Sequence, residues 1–449
     1  MRASSHNSSF DLRHSLMLVT IAGCLAMVYS TTISSPATIE FFRMLGANEF
    51  QFGLLGGIPL IMLFVQFIGA LITSRIKTRK WLFIVMTMVG RSLYVAVAFL
   101  PLAFPAVSGH AVIAALLMLV ALSQGMTNLI VPVWYSWMGD LIPQVILNRY
   151  WGSRYRWMQV TWMLAYLAVA ALTYFVHLPI KIIFPIMVTI GCAAGLMDIL
   201  LFVWVPEPPN PAIPERDFIN VLLEPLRHVE YRRFVIFSCV WSAATMFSAS
   251  FMQLYVLKVL KIGVWQATLI WAACAPGAVL TARAFGEAAD KFGQTPVLRV
   301  CLAFKPLIVV VFLLLTAESA AWLLPIAFFF DSILNTGTQI ASDGYMLKIG
   351  PRENRSMFVV AITGLAGICS GLATLAGGAF LLFMSEFSFD AFGRTWNNYH
   401  LMFAVNVFMR VACLPLLLRI REPGSASAGQ VIDHLKSKMP WRDEPERDA

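Results

Sequence analysis

Charge is scarce in this chain. Asp, Glu, Lys and Arg together make up 13% of its 449 residues, about half the ~25% of an average soluble domain. Apolar residues reach 59% before the 28 glycines are counted, and mean hydropathy is +0.74. Neither intrinsic disorder nor one soluble domain accommodates that composition. No Cys-x-x-Cys occurs. The seven cysteines, an odd number, all lie in apolar stretches, which excludes a disulfide framework and a thiolate zinc site and leaves them as small packing residues. The seven histidines form no His-x-x-x-His. No Gly-x-x-x-x-Gly-Lys-Ser/Thr is present, so a P-loop energy source is excluded. No nucleophile–base pair or paired carboxylates lie at one depth, which argues against a membrane-embedded enzyme. No metal, cofactor or nucleic-acid partner is expected. What remains is an all-α polytopic membrane protein.

A span needs ~20 mostly apolar residues. Twelve such stretches are present: 16–36, 50–74, 81–104, 111–137, 156–177, 181–205, 233–257, 264–285, 297–316, 320–346, 356–384 and 399–419. The first is too long for a signal-peptide core and is not closed by a small-x-small cleavage site, so it reads as a helix. Lys and Arg favour the cytoplasmic side of a membrane. With the N-terminus inside, 25 of the 33 basic residues fall on the cytoplasmic side. Five (Arg43, Lys181, Lys258, Lys261, Arg394) fall outside and three (Arg91, Lys305, Arg410) fall within spans. Both termini are therefore expected in the cytoplasm, in an inner cell membrane.

The expected organisation is a terminal segment 1–15, a bundle 16–205, a linker 206–232, a second bundle 233–419 and a polar tail 420–449. The linker opens with a proline-stiffened stretch from Pro206 to Pro214. Beyond it Phe218, Val221, Leu222 and Leu226 recur at helical spacing, with Glu224, Arg227 and Glu230 among them. That pattern predicts an amphipathic helix on the membrane surface.

The two bundles echo each other. Gly69 to Lys80 after span two answers Gly286 to Gly293 after span eight, and Arg91 in span three answers Lys305 in span nine. Asp140-Leu-Ile-Pro143, with Arg149 beyond, answers Lys348-Ile-Gly-Pro351, with Arg355 beyond. Pro206-Glu207-Pro208 after span six answers Arg421-Glu422-Pro423 after span twelve. Six spans and six, both sets starting inside, make a parallel repeat about an axis along the membrane normal.

On these residues the chain resembles the major facilitator superfamily over about 16–423. The most specific piece is Gly286-x-x-x-Asp290-Lys291-x-Gly293, which looks like that superfamily's loop motif. The first-half copy departs, with Ser74 for the Asp and Lys77 for the second Gly, although Arg75, Arg79 and Lys80 fit. The resemblance implies twelve transmembrane helices in two pseudo-symmetric six-helix bundles. It implies gating by the loop residues Gly286, Asp290, Lys291, Gly293, Arg75 and Arg79, with a carboxylate near a helix N-terminus and basic partners. It implies a central cavity lined by spans one, four, seven and ten, supported by spans three, six, nine and twelve, and a monomer.

A cavity wall needs polar residues on one face of an apolar helix. Asp331, Asn335, Thr338 and Ser342 form such a stripe on span ten, with Gln339 beside it. Span four offers Gln124, Asn128 and Tyr135; span seven offers Ser242 and Thr245; span one offers Thr31. The hydroxyls also suit plain helix–helix ties. Trp134, Trp137, Trp162, Trp241 and Trp271 are further candidates for the wall. Ionisable groups inside a bilayer are costly and carry a partner or a task. Arg91, Asp198, Lys305 and Arg410 sit on the supporting spans, and their plain reading is structural: Arg91 with Asp198, and Lys305 or Arg410 with a partner. Asp331 sits near the middle of a cavity-lining span, as a proton-coupling group would, or as one half of a fixed salt bridge to Lys305 or Arg410.

The expectation is a secondary active transporter of a small organic solute, by proton-coupled symport of a sugar or an organic anion across the bilayer. Two other readings stay open: proton-driven efflux of amphipathic compounds, and a transporter-like sensor without flux.

Overall fold

The computed structural model describes residues 2–104, 109–143, 146–209, 227–349, 355–391, 393–420 and 422–437. Twelve helices in it are long and apolar enough to cross a bilayer. They run Leu12–Met44, Glu49–Thr73, Lys80–Ala103, Gly109–Leu141, Tyr150–Phe175, Ile180–Trp204, Val229–Lys258, Val264–Phe292, Gln294–Leu314, Ala317–Met346, Ala361–Phe383 and Asn398–Leu418. Helix is the form a lone spanning segment must take, because lipid offers its backbone no partners. Each helix overlaps one expected window. The predicted linker helix around Phe218 to Leu226, and the tail beyond 437, lie outside the described residues.

The widest departure is at span one, which runs on past Pro36. Ser35 is extended (φ −71°, ψ 162°), and Pro36 starts a second helical piece, Pro36–Met44, where its missing N–H costs nothing. Span seven breaks at the matching place, between Val229–Ala249 and Met252–Lys258. Span two carries a 3-10 turn at Met62–Phe64, and span eight is interrupted at Ala273. The repeat read from loop motifs thus extends to where the helices bend.

Packing repeats as well. Span one packs on spans five and six, span four on spans two and three, and span three on span six. In the second half span seven packs on eleven and twelve, span ten on eight and nine, and span nine on twelve. The halves meet chiefly where span two lies against span eleven and span five against span eight. The first seam is made of glycine. A Cβ on Gly371 would stand 2.9 Å from the Gly57 carbonyl oxygen, and one on Gly378 would stand 2.8 Å from that of Glu49. Backbones approach this closely only where side chains are missing.

An even number of spans leaves both termini on one side. On the opposite side the apolar core is continuous across the halves. Phe41, Phe52 and Phe184 join one cluster with Phe251, Tyr255, Phe312 and Phe403, and Glu49 pairs with Lys258. On the termini side there are two separate clusters. One holds Val19, Phe83, Trp137 and Phe202, and the other holds Phe234, Phe285, Leu298 and Tyr345. The apolar core is thus continuous between the bundles on one side and divided between them on the termini side.

One element departs from the all-α expectation. Strands β1 (Ser388–Ala391) and β2 (Arg394–Asn397) form an antiparallel hairpin between spans eleven and twelve. Phe389 lies opposite Trp396, ring stacked on ring at 6.1 Å, and Gly393 turns the chain at φ +71°. Four residues a side are too few for a periodic signal beside 20-residue helices.

Candidate functional site

Spans nine and ten bring together the charges of the second half. Residues four apart share a helix face, so Asp331 and Asn335 point the same way from span ten. Lys305 of span nine donates from Nζ to Asp331 Oδ1 at 2.9 Å and to Asn335 Oδ1. Asn335 Nδ2 donates to Asp331 Oδ2 at 2.7 Å. Asp331 is thus held by two donors, yet its side chain keeps 20% of its surface open. Arg410 of span twelve is 3% exposed. It donates to the Lys305 carbonyl oxygen at 3.4 Å, and its Nε has no partner among the described residues.

The polar stripe of span ten follows a different row from the one expected. Thr338 turns its hydroxyl back to the Leu334 carbonyl at 2.7 Å. Asn335, Gln339 and Asp343 are the exposed members, and Gln339 Nε2 donates to both Asp343 oxygens at 2.9 Å. The open face is Asp331, Asn335, Gln339, Asp343. A strict i+4 row selects it; the expected alternation of fours and threes rotates Thr338 and Ser342 off it.

In the first half the structure brings Arg91 and Asp198 together. Arg91 donates to the Asp198 carboxylate and to the Gly195 carbonyl, with side-chain exposures of 11% and 3% for the pair. The Arg91 guanidinium also lies 4.9 Å above the Tyr29 ring. Both arginine and aspartate border a cavity of about 370 Å³ between spans one, three, four, five and six. Tyr135, 60% exposed, stands at its rim.

Other expected wall residues are turned elsewhere. Thr31 is fully buried, its hydroxyl folded onto the Met27 carbonyl at 2.8 Å, as hydroxyls in an apolar helix do for want of water. Asn128 is buried as a tie between spans two and four, accepting from Gln66 at 3.0 Å. Gln124 donates to the Tyr94 hydroxyl at 3.3 Å. Thr245 Oγ1 is sealed off without a partner among the described residues, and Ser242 is half-buried. Sequence spacing assigns a helix face; it does not say which face a neighbouring helix covers.

The pairing that the resemblance implies for the loop motif belongs to the outward-open state, and the structure gives the motif's placement in one state only. Asp290 and Lys291 are exposed, and Asp290 makes no ion pair among the described residues. Lys291 lies 5.3 Å from the Phe292 ring. Gly286 is half-buried, and Gly293 turns the chain between spans eight and nine at φ +96°. The carboxylate at the span-nine N-terminus is Glu422, which accepts from the Thr295 N–H at 2.8 Å and from Lys348 at 2.7 Å. Burial pushes its carboxyl up, but these donors and the Lys348 charge outweigh that and hold it below the usual range. Its counterpart is Glu207, which accepts from the Arg79 N–H where span three begins. The Arg79 guanidinium is wholly buried and donates to Asp140 at 2.5 Å, Ser136 at 2.8 Å and the Pro208 carbonyl at 2.9 Å. Arg75 is exposed. The end-of-span Glu-Pro echo therefore marks the paired anchors, and the glycine motif marks the turn beside one of them.

The family model of the Major Facilitator Superfamily matches residues 19–378, and the chain belongs to that superfamily. No curated protein matches it. Among solved structures it is similar to the nucleoside transporter NupG in a mutant form (TM-score 0.70, 12% identity, 92% of this chain and 100% of that one). It is similar to a D-xylose-proton symporter (TM-score 0.69, 13% identity, 92% and 99%). It is also similar to a bacterial homolog of the human lysosomal transporter Spinster in an inward-facing, unoccupied conformation (TM-score 0.60, 15% identity, 98% and 99%). At such identities the likeness shows the fold. This chain is a multi-pass membrane protein of a secondary-transport family.

Proposed function

We propose that the protein is a proton-coupled symporter of a small organic solute. It sits in the cell membrane with both termini in the cytoplasm, as its basic residues favour. The observation that carries this reading is the Lys305–Asp331–Asn335 cluster. A proton that reaches the open edge of Asp331 competes with Lys305 for the same carboxylate. A buried ionic group on a cavity-lining helix is a costly feature unless it works. Release of the Lys305 contact frees span ten against span nine, which lets proton occupancy bias the rocking of the bundles. Joining the two clusters on the termini side and parting the one around Phe41, Phe251 and Tyr255 would present the cavity to the other side. The fold shared with a D-xylose-proton symporter is consistent with that coupling.

The test uses purified protein in liposomes carrying a pH-sensitive dye, under an imposed pH gradient, with labelled sugars and carboxylates as probes. Wild-type protein is expected to concentrate one of them with proton uptake. Asp331→Asn protein is expected to exchange that solute at equal concentrations but not to concentrate it, a loss of at least tenfold. An Asp331→Asn protein that concentrates the solute with unchanged pH dependence overturns the coupling role.

A further inference from the structure

The cavity of the first half holds a charge that the pairings above leave over. Arg91 is satisfied by Asp198 and the Gly195 carbonyl. Arg154, from span five, borders the same cavity and has no carboxylate in ion-pair range among the described residues. Its Nε donates to the Val19 carbonyl at 3.4 Å, a long bond. Its guanidinium lies 5.1 Å from the Trp134 ring and 5.2 Å from the Trp151 ring. Two indoles shield a flat cation but do not neutralise it.

The slot for this group is built. A Cβ on Gly23 would stand 2.7 Å from a terminal nitrogen of Arg154, so span one omits a side chain where the guanidinium lies. The Arg91 site repeats the device, since a Cβ on Gly195 would stand 3.1 Å from Arg91 Cδ. Arg410, the surplus cation of the second half, is shut between spans nine and twelve. Arg154 is the one bordering an open cavity.

We infer that the first-half cavity is a binding site for a small organic anion, whose acidic group docks on Arg154 while its body lies against Trp134 and Tyr135. The inference deepens the proposed transport function, on which it rests for the solute's passage, by naming the solute's class. A guanidinium presents paired donors that match the two oxygens of a carboxylate. A guanidinium set against Gly23 and two indoles is partly stripped of water, and an arriving anion offsets that cost. A neutral sugar would need several idle hydrogen-bonding groups. Here, among the groups that line the cavity, the Thr87 hydroxyl is bonded to the Phe83 carbonyl, and Arg91 and Asp198 are bonded to each other. The volume of about 370 Å³ suits a compact monoanion with a flat body.

Benzoate is the probe, and its neutral isostere benzamide is the control, with purified full-length protein in neutral detergent. Wild-type protein is expected to bind benzoate saturably, read by calorimetry and by a change in tryptophan emission, and to ignore benzamide. Arg154→Gln and Gly23→Val are each expected to weaken benzoate binding at least tenfold, and Arg154→Lys less. Equal binding of benzamide, no binding of benzoate, or unchanged binding by Arg154→Gln overturns the inference. The wild-type comparison stands if a variant fails to fold. Displacement of benzoate by phosphatidylglycerol micelles at lower concentration than benzoate itself would assign the site to a lipid headgroup and overturn it too. Arg154-dependent binding without carriage of any carboxylate would sink the transport reading alone. Carriage of a neutral sugar with no benzoate binding would sink this inference alone.

Discussion

The two halves share a backbone plan and divide their buried charges differently. In the first half the carboxylate, Asp198, lies between two supporting spans and is nearly sealed against Arg91. In the second half the carboxylate, Asp331, lies on span ten, while the cation, Lys305, is on span nine, where the repeat places the counterpart of Arg91. A duplicated framework thus carries a fixed brace on one side and a reachable ion pair on the other. The Lys305–Asp331 pair is the more exposed at its carboxylate, so it contributes less to stability.

That contrast can be broken most sharply at Asp198. Asp198→Ala leaves Arg91 buried without its carboxylate and is expected to cost about 3–5 kcal/mol, read as thermal unfolding in detergent. Asp331→Asn is expected to lower stability by less, although it has the larger effect on coupling. The reverse order would erase the distinction between brace and switch. A smaller effect separates the anchors. Glu207→Gln and Glu422→Gln each remove a charge from a helix N-terminus, worth about 1 kcal/mol. Glu207→Gln is expected to cost more, because it also loosens Arg79, which lies 3.7 Å from that carboxylate and is fully buried. Smallest is the pH response of Glu422. Its folded carboxyl titrates below the unfolded value of ~4.3, so its contribution is present above that value and fades as pH falls through the lower folded one. The fall in stability below pH 4.3 should be shallower in Glu422→Gln than in wild type.

Much of this was legible in the sequence. Apolar runs of 20 residues leave helices no alternative, and Arg91 with Asp198 stand out because the other charges in their spans, Lys80 and Lys181, lie at the very ends. The order of the echoes gave the repeat before any contact was known. Arg154 and Asp343 were not legible as site residues. Arg154 falls before the expected start of span five at 156, and Asp343, inside expected span ten, falls off the row of alternating fours and threes. Arg154 is reached only in three dimensions, where its helix starts early at Leu147 and its side chain folds under two indoles. Thr31 and Asn128 mislead for a related reason, since spacing along one helix is silent about which neighbour lies over it.

The glycine seam between spans two and eleven sets a mechanical condition. Interdigitated side chains act as teeth and hold two helices in one register. Here teeth meet notches: Leu63 and Ile61 of span two sit over Gly367 and Gly371 of span eleven, Phe67 sits over Gly364, and backbone meets backbone at Gly53 and Gly378. A tilt of one half against the other must pivot on these sockets, and filling one with a larger side chain would force the two helices apart.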